Sequence, residues 1–336
     1  MANWVRRIGK LLSTETQTGS ERLQKEKRPS DVATPAVTHA AELPDLDTEL
    51  FDWLLDIPPG PEREANAAES LWLAELDPLI AADKGRGELL PRAAGVIPPL
   101  LNSLRDENQS SAELAQRVER DPNLVAEVVR LANSTAFRGE GQASELAEAV
   151  RRIGTAGLKQ AIAKVVLKPM FDAQSGSLSS RAAARVWAQA QVQADLCRAL
   201  AVAQGMDPFE AYLGGLLSNV GWTAGLRALE RVLEQHPPAE MAFGSGFKEG
   251  FCSRRDRLFV QLVTAWRLNP ALHEAARDVQ YAGSFAAATD PFAQLLLVGY
   301  RLASLRVLVS TGRVAQDDAL LAGWPDVVRA AYISPG

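Results

Sequence analysis

Apolar residues along most of this chain recur at intervals of three and four, the spacing of one face of an α-helix, and strict alternation is scarce. In DPNLVAEVVRLANS, Leu124, Val128 and Leu131 form such a stripe. Asp121 there is a natural N-cap, Pro122 fits the first helical position, and Asn133 suits a left-handed closing residue. In SSAEL, Ser110 stands three residues before Glu113, the reciprocal capping-box spacing, with Leu114 and Val118 next on the stripe. Ser144 opens a helix that Gly154 ends, and Leu158, Ile162, Val165 and Val166 line the following one. Beyond a Ser/Gly-rich loop at 172–180, helices are expected at 181–204, from the Asp207-Pro208 start, and at 256–267, 269–279, 290–310 and 317–331.

The fold class this predicts is all-α: a multi-helix bundle of two packed lobes over 86–336. The first lobe spans about 89–172, the second about 180–310, and a C-terminal helix about 317–331.

The first 85 residues read differently. Residues 1–12 place Trp4, Ile8 and Leu11 on one helical face and Arg6, Arg7 and Lys10 on the other. A weak membrane-surface toehold, a docking helix and a frayed end all fit that pattern. Residues 13–44 carry too few apolar side chains to offset the entropy of ordering and are expected to be a disordered linker. Over 45–85 two flanking amphipathic helices are predicted. The first, DLDTELFDWLLDI, sets Leu46, Leu50, Phe51, Leu54 and Leu55 against an acidic face, docking on the domain or on a partner; PPGP ends it, and a second helix covers 65–82. Trp4, Ile8, Leu11, Leu50, Phe51 and Leu54 are therefore the candidate partner-docking residues.

Composition narrows the function classes. The 336 residues are 47% hydrophobic and 23% charged, as in a soluble protein with a sizeable core. A net charge of -5 speaks against a general nucleic-acid binder, which needs a concentrated cationic excess. Cys197 and Cys252 share no metal or disulfide spacing. No apolar run reaches the roughly 18–20 residues of a spanning helix, and no secretory leader is apparent, so a cytoplasmic location is expected, with residues 1–12 as the one candidate contact to the inner membrane face. Phosphate loops, dinucleotide fingerprints and nucleophile elbows are missing, and GSGF at 244–247 is a lone glycine turn.

Three segments together resemble one family: LLPRA, then SSAELAQRVERDPNLVAEVVRLANSTAF, then ELAEAVRRIGTAGLKQAI. Their order is similar to the first lobe of HDOD domains, helical relatives of the HD metal-dependent phosphohydrolases. VWAQAQVQADLC, EAYLGGLLSNVG and LVTAWRLNPALHEAARD resemble the HD-like lobe, and the likeness covers about 89–310. An HD hydrolase would carry a His shortly after the Trp and a His-Asp pair after Gly-Leu-Leu. Here Gln189 follows Trp187, and Ser218 and Asn219 occupy the pair.

Hydrolysis at such a centre needs imidazoles and carboxylates to hold a water-activating metal, which neutral Ser and Asn do not replace. Of three histidines, His39, His236 and His273, one falls on a core-region helix; Asp195, Glu274 and Asp278 are scattered carboxylates. No metal and no cofactor are expected. Gln189, Ser218 and Asn219 form either a remnant ligand pocket or, with Gly214 and Gly215 beside them, a close helix contact. Asn133 and Ser134 read as a helix cap, and Trp187, Trp222, Trp266 and Trp324 as core fillers.

The resemblance implies a non-catalytic bacterial signal-transduction module working through protein partners, beside cyclic-dinucleotide pathways. The alternatives are a nucleotide or small-molecule sensor using the remnant pocket, and a divergent phosphohydrolase.

Overall fold

The structure is a computed structural model, and it describes residues 43–81, 97–105, 110–134, 137, 141–172, 177–238, 240–266 and 270–333. Among these, every regular element is helical. The expectations for residues 1–42, Trp4, Ile8 and Leu11 included, lie outside the described residues.

Local chemistry starts four of the helices where the sequence says. Ser110 and Glu113 close their capping box in both directions, the Ser110 amide donating to Glu113 Oε2 (3.0 Å) and the Glu113 amide to Ser110 Oγ (3.2 Å). Asp121, Asp207 and Asp290 each accept amide hydrogens from the first turn of a helix that opens on proline. The first lobe comprises α3 (Ile97–Leu104), α4 (Ser111–Val118), α5 (Pro122–Ala132) and α6 (Leu146–Phe171), which breaks at Gly154, where φ is 62°. Asn133 departs from expectation: it is right-handed (φ -94°). Its amide instead clamps the next segment, Nδ2 donating to Ala143 O and Oδ1 accepting from Ala143 N, both at 2.8 Å.

The second lobe is built from α7 (Ser177–Gln204), α8 (Pro208–Ser218), α9 (Val220–Gln235), α10 (Ser245–Trp266), α11 (Pro270–Ala282) and α12 (Pro291–Ser310). α10 begins well before the predicted 256. The expected helix at 317–331 is two pieces, a 3-10 turn (Asp318–Leu321) and α13 (Asp326–Ile333), because Gly323 (φ 116°) and Pro325 interrupt it. α7 is the spine: it packs on α8, α12, α13 and α9 and also reaches α6. A Cβ on Gly215 would stand 2.7 Å from Ala194 Cα, so only glycine lets α8 lie this close to α7.

The N-terminal helices are part of this lobe. α1 (Asp47–Leu55) packs on α7, α10 and α12, and α2 (Ala67–Ala81) on α9 and α10. Leu50, Phe51, Leu54 and Leu55 are fully buried, and Phe51 meets Phe243, Phe247 and Phe251 edge-on. Leu50, Phe51 and Leu54 are therefore corrected from partner-docking residues to core residues. Asp56 closes α1 in the left-handed conformation (φ 57°) and the proline-rich turn follows. The Asp52–Lys248 pair (2.6 Å) ties α1 to α10 in the interior; burial raises the Asp52 carboxyl against the pull of Lys248. α12 is the one helix among the described residues long and apolar enough to cross a membrane, and most of it is buried among α7, α8 and α11.

Candidate functional site

Ser218 and Asn219 lie at the α8–α9 junction and are tied into the packing. Ser218 Oγ donates to Gly214 O one turn back (2.8 Å). Asn219 Nδ2 donates to Gln193 Oε1 (2.7 Å) and Gly215 O (3.2 Å), while Gln193 Nε2 donates to Leu296 O (3.3 Å). Thus a buried amide chain links α8 to α7 and α7 to α12. Gln189 stands one turn earlier on α7 and donates to Ser304 Oγ (3.1 Å). The structure brings Ser218 and Asn219 together with Gln193, while Gln189 bonds to Ser304 one turn away. The turn-to-turn register on a helix rich in Ala and Gln carried no signal to choose between them.

Beside this junction a cavity of about 410 Å³ opens between α1, α8, α10 and α12 and the 283–289 loop. Ser218 and Gln193 line it; Gln189 and Asn219 do not. Trp222, Phe285, Leu296 and Leu297 form apolar wall, and Asp45, Asp47 and Thr48, at the start of α1, form another side.

At its base is a group that sequence reasoning missed. The Arg255 guanidinium lies 4.8 Å from both the Trp222 and the Tyr300 rings. Its Nε and Nη2 donate to Asp256 Oδ1 (2.9 and 2.7 Å). Nη1 donates to Asp47 Oδ1 (3.2 Å) and Tyr300 Oη (2.5 Å), and Nη2 also reaches Asp47 Oδ2 (3.4 Å). Tyr300 Oη donates on to Asp47 Oδ1 (2.5 Å). Burial alone would lower the Arg255 guanidinium, but Asp256 and Asp47 hold it well above its ordinary value. Burial pushes the Asp256 carboxyl up to about 6, against the pull of Arg255, and burial raises the Tyr300 hydroxyl and the Cys252 thiol. The Arg-Asp dipeptide at 255–256 was visible in the sequence, but nothing local marks which arginine a distant Asp47 and Tyr300 will enclose.

These residues do not fit the metal of an HD hydrolase. Among the described residues no three His, Cys, Asp or Glu side chains converge as a metal-binding set. His236 and His273 are exposed, Glu274 is exposed, and Asp278 accepts the Thr289 and Asp290 amides at a turn (2.6 and 2.7 Å). Asp195, raised by burial, is surrounded by Arg198, Lys164, Arg130 and Arg306. Cys252 lines the cavity as a buried thiol, and Cys197 is buried elsewhere.

The family model for the HDOD domain matches residues 90–281. No curated protein matches the chain. In fold it is similar to a protein from Shewanella amazonensis SB2B provisionally named a metal-dependent phosphohydrolase (TM-score 0.54, 17% identity, covering 80% of this chain and 98% of that one). It also matches an HDOD domain protein of unknown function from Geobacter sulfurreducens (TM-score 0.49, 21% identity, covering 78% and 89%). With the family match spanning more than half of its residues, and the helical fold shared with the Shewanella protein, the chain belongs to the HDOD domain family.

Proposed function

We propose that this chain is a non-catalytic regulatory module, descended from an HD-type scaffold, that transmits a signal by binding other proteins. The observation that carries the reading is the fate of the HD pair. Asn219 and Ser218 spend their hydrogen bonds on Gln193, Gly215 and Gly214, holding helices together where a hydrolase would hold metal. The nearby carboxylates Asp47 and Asp256 both pair with Arg255, a fixed cation. A connection to cyclic-dinucleotide signalling, under this reading, runs through a protein partner.

Turnover tests it. The purified full chain, assayed with Mn²⁺ or Mg²⁺ against bis(p-nitrophenyl) phosphate and cyclic di-GMP, is expected to show no hydrolysis above a heat-inactivated control. Hydrolysis that disappears in Asp256→Asn would overturn the reading.

A further inference from the structure

We propose that the cavity beneath the start of α1 is a binding site for a small organic cation with an apolar, aromatic body, of the aryl-alkylamine class. A volume of about 410 Å³ suits a small organic molecule, and the Trp222, Phe285, Leu296 and Leu297 side chains give such a body apolar walls.

The charge of the lining selects the class. Four carboxylates, Asp45, Asp47, Glu249 and Asp256, face two guanidiniums, Arg255 and Arg301, leaving an excess of two negative charges when all are ionised. The carboxylates are also unequally occupied. Arg255 spends all five of its N–H groups on Asp47, Asp256 and Tyr300, so it has no donor left for a phosphate or carboxylate ligand. Both of its bonds to Asp256 land on Oδ1, leaving Oδ2 without a partner among the described residues. Among the described residues Glu249, which is exposed, takes no ion pair or hydrogen bond, and Asp45 accepts one backbone amide, from Asp47 (3.1 Å). A ligand ammonium meets unpaired acceptors here, whereas a nucleotide phosphate meets like charge.

The inference goes beyond the proposed regulatory role and does not depend on it, since a turnover assay leaves it untouched.

The test is calorimetric titration of the full chain with tryptamine, phenethylamine and histamine, each beside its carboxylate counterpart, indole-3-acetate, phenylacetate and imidazole-4-acetate, and with AMP. At least one amine is expected to bind saturably with one site per chain, at least tenfold tighter than its carboxylate partner and than AMP. Binding should fall at least tenfold in Asp45→Asn/Glu249→Gln, whose changed side chains are both exposed and leave the core intact, and should vanish in Ala286→Trp, which fills the mouth from an exposed loop. No saturable binding by any of the amines would overturn the proposal. So would carboxylates or AMP binding as tightly as the amines, or amine binding that persists unchanged in both variants.

Discussion

Asp256 carries the sharpest residue-level consequence of the Arg255 cluster. Its folded-state carboxyl sits near 6, above the roughly 3.9 of an unfolded aspartate, because burial outweighs the attraction of Arg255. The folded state therefore binds this proton more tightly than the unfolded one. The group's contribution favours folding as pH falls from about 6 to about 4, and it costs stability above that window. Carbon-detected NMR of the Asp256 carboxyl should show a midpoint near 6. The gain in unfolding free energy of Asp256→Asn over the parent should be larger at pH 7 than at pH 5; an equal difference at both contradicts the assignment. At this scale the sequence was legible wherever chemistry is local. The Ser110–Glu113 box and the Asp121, Asp207 and Asp290 caps needed only neighbours within three residues. Asn133 was misread because its partner, Ala143, lies ten residues on, and the Arg255 cluster went unseen because its members come from residues 47, 255, 256 and 300.

Among the elements, α1 shows what periodicity can and cannot say. The stripe of Leu50, Phe51, Leu54 and Leu55 announces a helix with one face to bury, but the same stripe serves a partner's groove or the chain's own core. The structure gives it to the core, where Phe51 packs among Phe243, Phe247, Phe251 and Trp222. Phe51→Ala should accordingly cost about 3–5 kcal/mol in chemical denaturation, the range for emptying a buried aromatic site. A loss below about 1 kcal/mol would mean that α1 leaves the domain readily. The early turns of α10 were missed for a related reason. Gly244, Ser245 and Gly246 look like a loop in sequence, yet they are the contact through which the 60s segment reaches α10: the Gly246 amide donates to Arg63 O (3.0 Å), and the Gly244 amide donates to Glu69 Oε1 (2.8 Å). Burial alone would raise the Glu69 carboxyl, but Arg63 and the Gly244 and Asn66 amides bring it below its ordinary value.

Across the whole molecule, one continuous apolar cluster runs from Leu43 through both lobes to Val328. The all-helical class was legible from helical spacing and caps. The inclusion of residues 45–81 in the second lobe was not, since no local signal tells a flanking helix from an integral one. A version of the chain starting at Glu88 would lack α1 and α2 and expose the faces of α7, α9, α10 and α12 that they cover. It should lose cooperative thermal unfolding, whereas retention of the parent Tm would show those helices to be accessory. Under the proposed reading Ser218 and Asn219 spend their polar groups on helix packing, and the site holds no metal. Metal content, measured by inductively coupled plasma mass spectrometry on the full chain purified without chelator, tests that claim most directly. The account predicts less than about 0.1 equivalent of any transition metal per chain, because Ser218 and Asn219 supply neither imidazole nor carboxylate. One or two equivalents that survive dialysis and fall on changing Asp256 to Asn would contradict it.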